Sequence, residues 1–266
     1  MHPDITARLI EINREFYTRF GDSFSATRHR IQPGVRRVLE SLKGDESILD
    51  LGCGNGELAR ELAKRSHRGP YLGVDFSLPL LRDAESIPKG FSAKFMQADF
   101  TYDNLFDVVT RSREMAAKQS PYTPEVSSVA SRSRNDMFDI VFCFAVLHHI
   151  PSFELRLNIL NGVHQLLKPD GKFLHSNWQF LNSEKLKVRI QDWSKVSLSA
   201  SDVDPNDYLL DWRSGGEGLR YVHHFSESEL SALAGMSGFR VVETFYSDGE
   251  SGNLGLYQTW ETDITY

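Results

Sequence analysis

Three groups of residues have types and spacing that could do chemistry. The first is Asp50-Leu51-Gly52-Cys53-Gly54-Asn55-Gly56-Glu57, where three alternating glycines stand between two carboxylates. Glycine takes positive φ easily and lets backbone lie against a ligand with no Cβ in the way. The second is a pair of acids, Asp75 and Asp99, each ending an apolar run. The third is a set of cations and aromatics: Arg28, His148-His149, Trp178 and Arg220-Tyr221-Val222-His223-His224.

The glycine turn does not end in Gly-Lys-Ser/Thr, so it is not a phosphate loop. Its third glycine comes one residue early for the dinucleotide turn G-x-G-x-x-G. Asp50 and Glu57 would also repel a pyrophosphate. Both acids suit a ligand with an amine cation and a sulfonium, which is S-adenosylmethionine. The cofactor-binding candidates are therefore Asp50, Gly52, Cys53, Gly54 and Gly56, with Asp75, Phe76, Asp99, Phe100 and Phe144 at the ends of later strands. Asp75 lies about twenty residues past the turn, where an acid accepts two hydrogen bonds from a ribose diol. Asp99 is placed to accept from an adenine amino group, with Phe100 beside the ring.

The catalytic candidates are Arg28, His149 and His223. A carboxylate nucleophile is already ionised and needs orientation, which a two-pronged arginine and the histidines supply. A hydroxyl or ring nucleophile needs a base, which either histidine supplies. These residues serve both chemistries. Trp178 stacks on a substrate or closes a core edge.

Strands and helices must position these groups. Ile48 to Leu51 read as a buried strand, and residues 58–63 as the helix after the turn. Further strands are expected at 71–75, 95–100, 138–145 and 172–176, with helices at 78–84 and 152–167. Strand four, Phe138 to Ala145, is apolar nearly throughout, as a strand covered on both faces should be. The alternation of strands and helices predicts an α/β Rossmann-like fold, a seven-stranded, mostly parallel sheet with an antiparallel last strand. Residues 1–266 form one domain, with an N-terminal helical cap at 1–44 and a cofactor-binding core at 45–176. A substrate-side insertion spans 177–225, and a last helix and strand hairpin span 226–266. The cap holds a helix at 4–20 stopped by Gly21 and a second opened by Pro33. Residues 105–115 read as helical, and the serine-rich run near 116–136 as a flexible surface loop. Ser226 and Glu229 read as a capping box.

The chain has 266 residues, 40% of them hydrophobic, which suits one large α/β domain. Two cysteines without metal-ligand neighbours give no zinc site or disulfide framework, and a reduced cytoplasmic setting is expected. No apolar run is long enough to cross a membrane, and no secretory leader is read at the start. The formal net charge of −6 argues against gripping nucleic acid with the whole surface, but leaves room for a local basic face.

The order of motifs resembles the class I S-adenosylmethionine methyltransferases over nearly the whole chain. Four patches resemble the tRNA wobble-uridine carboxymethyl methyltransferases more narrowly: Phe24-Ser25-Ala26-Thr27-Arg28, Val146-Leu147-His148-His149, Trp178 and Arg220-Tyr221-Val222-His223-His224-Phe225. That resemblance implies esterification of 5-carboxymethyluridine in a tRNA anticodon loop, with Arg220 and Tyr221 joining Trp178 on the substrate side, and a small zinc-binding activator protein as partner. A small-molecule O- or N-methyltransferase and a non-catalytic cofactor-binding subunit are the alternatives.

Overall fold

The computed structural model describes residues 1–26, 30–84, 86–88, 90–110, 137–213 and 216–263. Its centre is β1 (Ile48–Leu51), buried along its whole length. It pairs in parallel with β2 (Tyr71–Asp75) on one side and β4 (Phe138–Phe144) on the other. β3 (Ala93–Gln97) adds beyond β2, and β5 (Leu167–Trp178) beyond β4. β10 (Gly255–Thr262) inserts antiparallel between β5 and β9 (Phe239–Ser247). The order β3-β2-β1-β4-β5-β10-β9 gives seven strands, mostly parallel, as the alternation predicted. Strand order reverses between β1 and β4, and ligands in such sheets bind beyond the carboxyl ends at that switch.

Two apolar layers hold the sheet. On one face, α6 (Phe153–Leu166) and α7 (Glu227–Met236) bury Ile159, Leu160, Leu230 and Leu233 with the helical residues 105–110 (α5). On the other, α2 (Pro33–Leu39) and α3 (Glu57–Lys64) bury Val35, Val38, Leu58 and Leu62. The rest of the expected 105–115 helix and the serine-rich run lie outside the described residues. Among the described residues no helix is long and apolar enough to cross a membrane.

The structure moves several expected boundaries. α1 (Pro3–Ser25) does not stop at Gly21. A Cβ there would lie 3.2 Å from Pro79 Cβ of α4 (Leu78–Ala84), so the glycine permits close helix packing rather than ending the helix. β3 ends at Gln97, before Asp99, because the Asp99 carboxylate accepts from Thr101 N at 3.0 Å and turns the chain. β5 begins at Leu167, and a register shift between Phe138 and Ile140 absorbs Pro169-Asp170-Gly171. The insertion holds a second antiparallel sheet, β6 (Ile190–Gln191), β7 (Asp207–Trp212) and β8 (Gly218–His223). α1 packs on it through Leu9 and Ile12, against Trp193, Leu209 and Tyr221.

Gly34 shows how tightly α2 meets the sheet. A Cβ at this position would lie 2.3 Å from the Tyr257 ring, which stacks on Phe245 at 4.9 Å. Gly34→Ala is expected to lower stability by roughly 1–3 kcal/mol, the usual cost of overpacking. A thermal melt compared with the wild type checks it.

Candidate active site

One cavity of about 550 Å³ opens at the carboxyl ends of β1, β2 and β4, within the size range of small-molecule sites. Asp50, Gly52, Cys53, Gly54, Asp75, Phe76, Asp99, Phe100 and Phe144 all line it. Gly52 and Gly54 have φ of 71° and 54°. At Gly52 a Cβ would collide with Val146 at 2.3 Å, whereas at Gly54 it would meet nothing within 4 Å. Gly56 does not line the cavity. It precedes α3 with φ of 75°, and a Cβ would sit 2.9 Å from Ala84. It lets α3 approach α4 closely, so the structure gives this glycine a packing reason rather than a place on the cavity wall.

The acids are held differently. Asp75 accepts from Gly54 N at 2.9 Å and Ser77 N at 2.8 Å, so it shapes the glycine turn. Asp50 accepts from the Tyr71 hydroxyl. Burial raises both carboxyls, Asp50 to about 7 and Asp75 to about 6. Asp99 is already engaged: Arg14 Nη2 donates to Oδ2 at 2.6 Å, and Thr101 donates to Oδ1. Arg14 also lies over the Tyr102 ring at 4.6 Å. A ligand amine reaching Asp99 must therefore share it with Arg14.

The remaining candidates separate into two places. His149, Trp178 and Arg220 line the cavity. His149 Nδ1 faces the Tyr221 carbonyl at 3.1 Å, and Nε2 faces the Tyr17 hydroxyl at 3.1 Å. His148 is buried beside it, and its Nδ1 accepts from Trp178 N at 3.2 Å. Arg220 is only 5% exposed, with its guanidinium 4.8 Å from the Trp178 ring and 5.6 Å from the rings of Phe16 and Trp212.

His223 is elsewhere. Its ring nitrogens face Asp207 Oδ1 at 2.6 Å and Glu229 Oε1 at 2.9 Å, within a network of charged side chains. Arg156 lies 3.5 Å from both Asp207 and Glu229. The Tyr221 hydroxyl joins the same network, donating to Asp207 at 2.6 Å and accepting from Arg156 at 2.8 Å. Neither residue lines the cavity, so the geometry does not support His223 as catalytic or the Tyr221 side chain as a substrate contact. The expected capping box is half formed for the same reason: Ser226 Oγ accepts from Glu229 N, while the Glu229 carboxylate turns to His223. Arg28 lies outside the described residues.

Sequence reading missed the part played by α1. Asn13, Arg14 and Tyr17 line the cavity although α1 reads only as an amphipathic helix. Asn13 Nδ2 donates to the carbonyls of His149 and Tyr221, and its Oδ1 accepts from Tyr221 N at 2.8 Å. The available signal was Asn13 and Tyr17 spaced i, i+4 at the border of the apolar face. The β9–β10 loop also contributes, through Asp248 and Gly249.

The sequence pattern of the methyltransferase domain matches residues 24–244. The chain belongs to this methyltransferase domain family. A protein of Encephalitozoon cuniculi, named as a methyltransferase without a stated substrate, is 29% identical over 86% of the chain and 87% of its own length. The tRNA (carboxymethyluridine(34)-5-O)-methyltransferase ALKBH8 of Macaca fascicularis is 28% identical over 66% of the chain. The chain spans only 22% of that relative's length. In fold, it is similar to the 1,6-didemethyltoxoflavin-N1-methyltransferase of Burkholderia thailandensis, solved with S-adenosylhomocysteine. The TM-score is 0.58 at 18% identity, over 98% of this chain and 91% of that one.

The cofactor of this methyltransferase family is S-adenosylmethionine, and the residues present fit it. The space beside Gly54 leaves room for a ligand against backbone, and two buried acids favour a cation. The raised pKa values have two consequences. Without ligand, the folded state binds protons that the unfolded chain has lost, so stability falls as pH rises from the ordinary value of 3.8 through about 6 and 7. A cation binds best once the acids are ionised. Cofactor affinity is therefore expected to rise from pH 5.5 to pH 8 (on the order of tenfold), with proton release. Calorimetry in buffers of different ionisation enthalpy measures both.

Proposed function

We propose that this methyltransferase esterifies the carboxymethyl group of a tRNA wobble uridine. The observation that carries the reading is Arg220, a buried cation on the cavity wall beside Trp178. A guanidinium complements a carboxylate, and an indole face suits an unpaired base. The similarity to the carboxymethyluridine methyltransferases supports the same substrate.

The bound cofactor supplies the methyl group. The chain's own residues supply alignment, which in an in-line displacement is most of the catalytic work. A carboxylate needs no base at neutral pH. That agrees with His149, whose two ring nitrogens already face the Tyr221 carbonyl and the Tyr17 hydroxyl. In this reading Arg220 and Arg28 orient the carboxylate, Trp178 stacks on the base, and His149 fixes the wall. Anticodon hairpins carrying 5-carboxymethyluridine or plain uridine test it. Tighter binding of the first, weakening steeply with salt, is expected; equal binding of both, or a flat salt response, contradicts it.

A second reading, a small-molecule O- or N-methyltransferase, is favoured by enclosure of the cavity by α1 and the β9–β10 loop and by the net charge of −6.

A further inference from the structure

Among the described residues, α1 brings one charged side chain to the cavity wall, Arg14, and sets it against Asp99. Asp99 follows β3 by two residues and lines the same cavity. Its Oδ1 accepts from Thr101 N at 3.0 Å and from the Thr101 hydroxyl, which holds the carboxylate in place. Its Oδ2 accepts from Arg14 Nη2 at 2.6 Å. That bond is the main reason the guanidinium lies above its ordinary pKa. The Tyr102 ring, which does not line the cavity, backs the guanidinium at 4.6 Å. Glu11 stands farther from it, 3.5 Å from Arg14 Nη1. Packing of α1 does not depend on this pair. Leu9 and Ile12 bury against the second sheet, and Phe16 and Phe20 pack with Leu80 and Trp212.

We propose that Arg14 is a cofactor-binding residue, which with Asp99 presents a donor beside an acceptor and reads the amino group and N1 of the adenine of S-adenosylmethionine. The amino group is a donor, and N1 next to it is an acceptor. A carboxylate alone meets the amino group, and any amine satisfies it. A guanidinium carries five N–H donors in one rigid plane, of which the bond to Asp99 takes one. Side by side, the two groups match the adenine edge at two points. The ion pair also prepares Asp99 for burial. A carboxylate covered by a ligand loses its water, and a charge-assisted bond to Arg14 offsets that loss. The two buried acids of the wall are committed elsewhere. Asp75 accepts from Gly54 N and Ser77 N, and Asp50 from the Tyr71 hydroxyl. The proposal rests on the cofactor, and holds whichever acceptor is methylated.

The test is calorimetric binding of S-adenosylhomocysteine and S-inosylhomocysteine, which needs no methyl acceptor. The second ligand has an oxo group for the amino group and a proton on N1, so donor and acceptor exchange places. The wild type should prefer the adenine ligand by about a hundredfold, the scale of two mismatched hydrogen bonds to charged groups. Arg14→Met keeps the length of the side chain and removes the donors. It should lower that preference about tenfold, the share of one such bond. Arg14→Lys keeps the cation but not the planar fork, and should lower the preference as well. Melting temperatures measured on both variants show that the fold persists. Equal weakening of both ligands by Arg14→Met, with the preference unchanged, would mean that Arg14 merely tethers α1, and would overturn the proposal. A preference that rises in Arg14→Met would mean that the guanidinium merely masks the charge of Asp99, and would overturn it too. The full wild-type preference in Arg14→Lys would overturn the two-point reading by the fork.

Discussion

Arg220→Met is expected to remove most of the methyl transfer and to leave cofactor binding in place. Methionine keeps apolar contact with Phe16, Trp178 and Trp212, the rings around the guanidinium. What it loses is the cation. Removing one partner of a buried charge pair costs about 3–5 kcal/mol, so kcat/KM for an anionic acceptor should fall by roughly 10²–10⁴-fold. Calorimetry on the same variant should give cofactor affinity within about twofold of wild type. Unchanged turnover would mean that this cation does not read the substrate.

Asp75→Asn is the second large effect, and it acts on the cofactor side. The two Asp75 oxygens accept from the backbone of Gly54 and Ser77. An amide presents an acceptor to one and sets a donor against the other. Each unmet buried donor costs about 1–3 kcal/mol, and the glycine turn loses its tie to β2. Cofactor affinity should fall roughly 10–100-fold, with the melting temperature measured alongside to show that the fold persists. Affinity within twofold of wild type would remove Asp75 from the site.

The core of the fold was legible because its signals are local. An apolar four-residue strand, a glycine turn and an amphipathic helix specify β1, the turn and α3. Asp75 ends β2 and Asp99 follows β3 by two residues, and both line the cavity where the sheet topology puts a ligand. What stayed hidden depends on contacts distant in sequence. Gly21 reads as a helix stop, yet α1 continues because Pro79 packs there. His223 and His149 look alike in sequence. Only the fold sets one between Asp207 and Glu229 and the other on the cavity wall. Asn13, Arg14 and Tyr17 reach the cavity because α1 folds across it, 136 residues away from His149 in the case of Asn13. The sheet β6-β7-β8 was hidden because β7 does not alternate strictly between buried and exposed positions.

The most direct measurement is transfer of labelled methyl from S-adenosylmethionine to tRNA carrying 5-carboxymethyluridine, beside the same tRNA without it. Both are assayed with and without a small zinc-binding activator protein. The account predicts label only in the first tRNA, and label that mild base removes, as it removes a methyl ester. Base-stable label, label in both tRNAs, or no label in either with activator and bound cofactor present would contradict it.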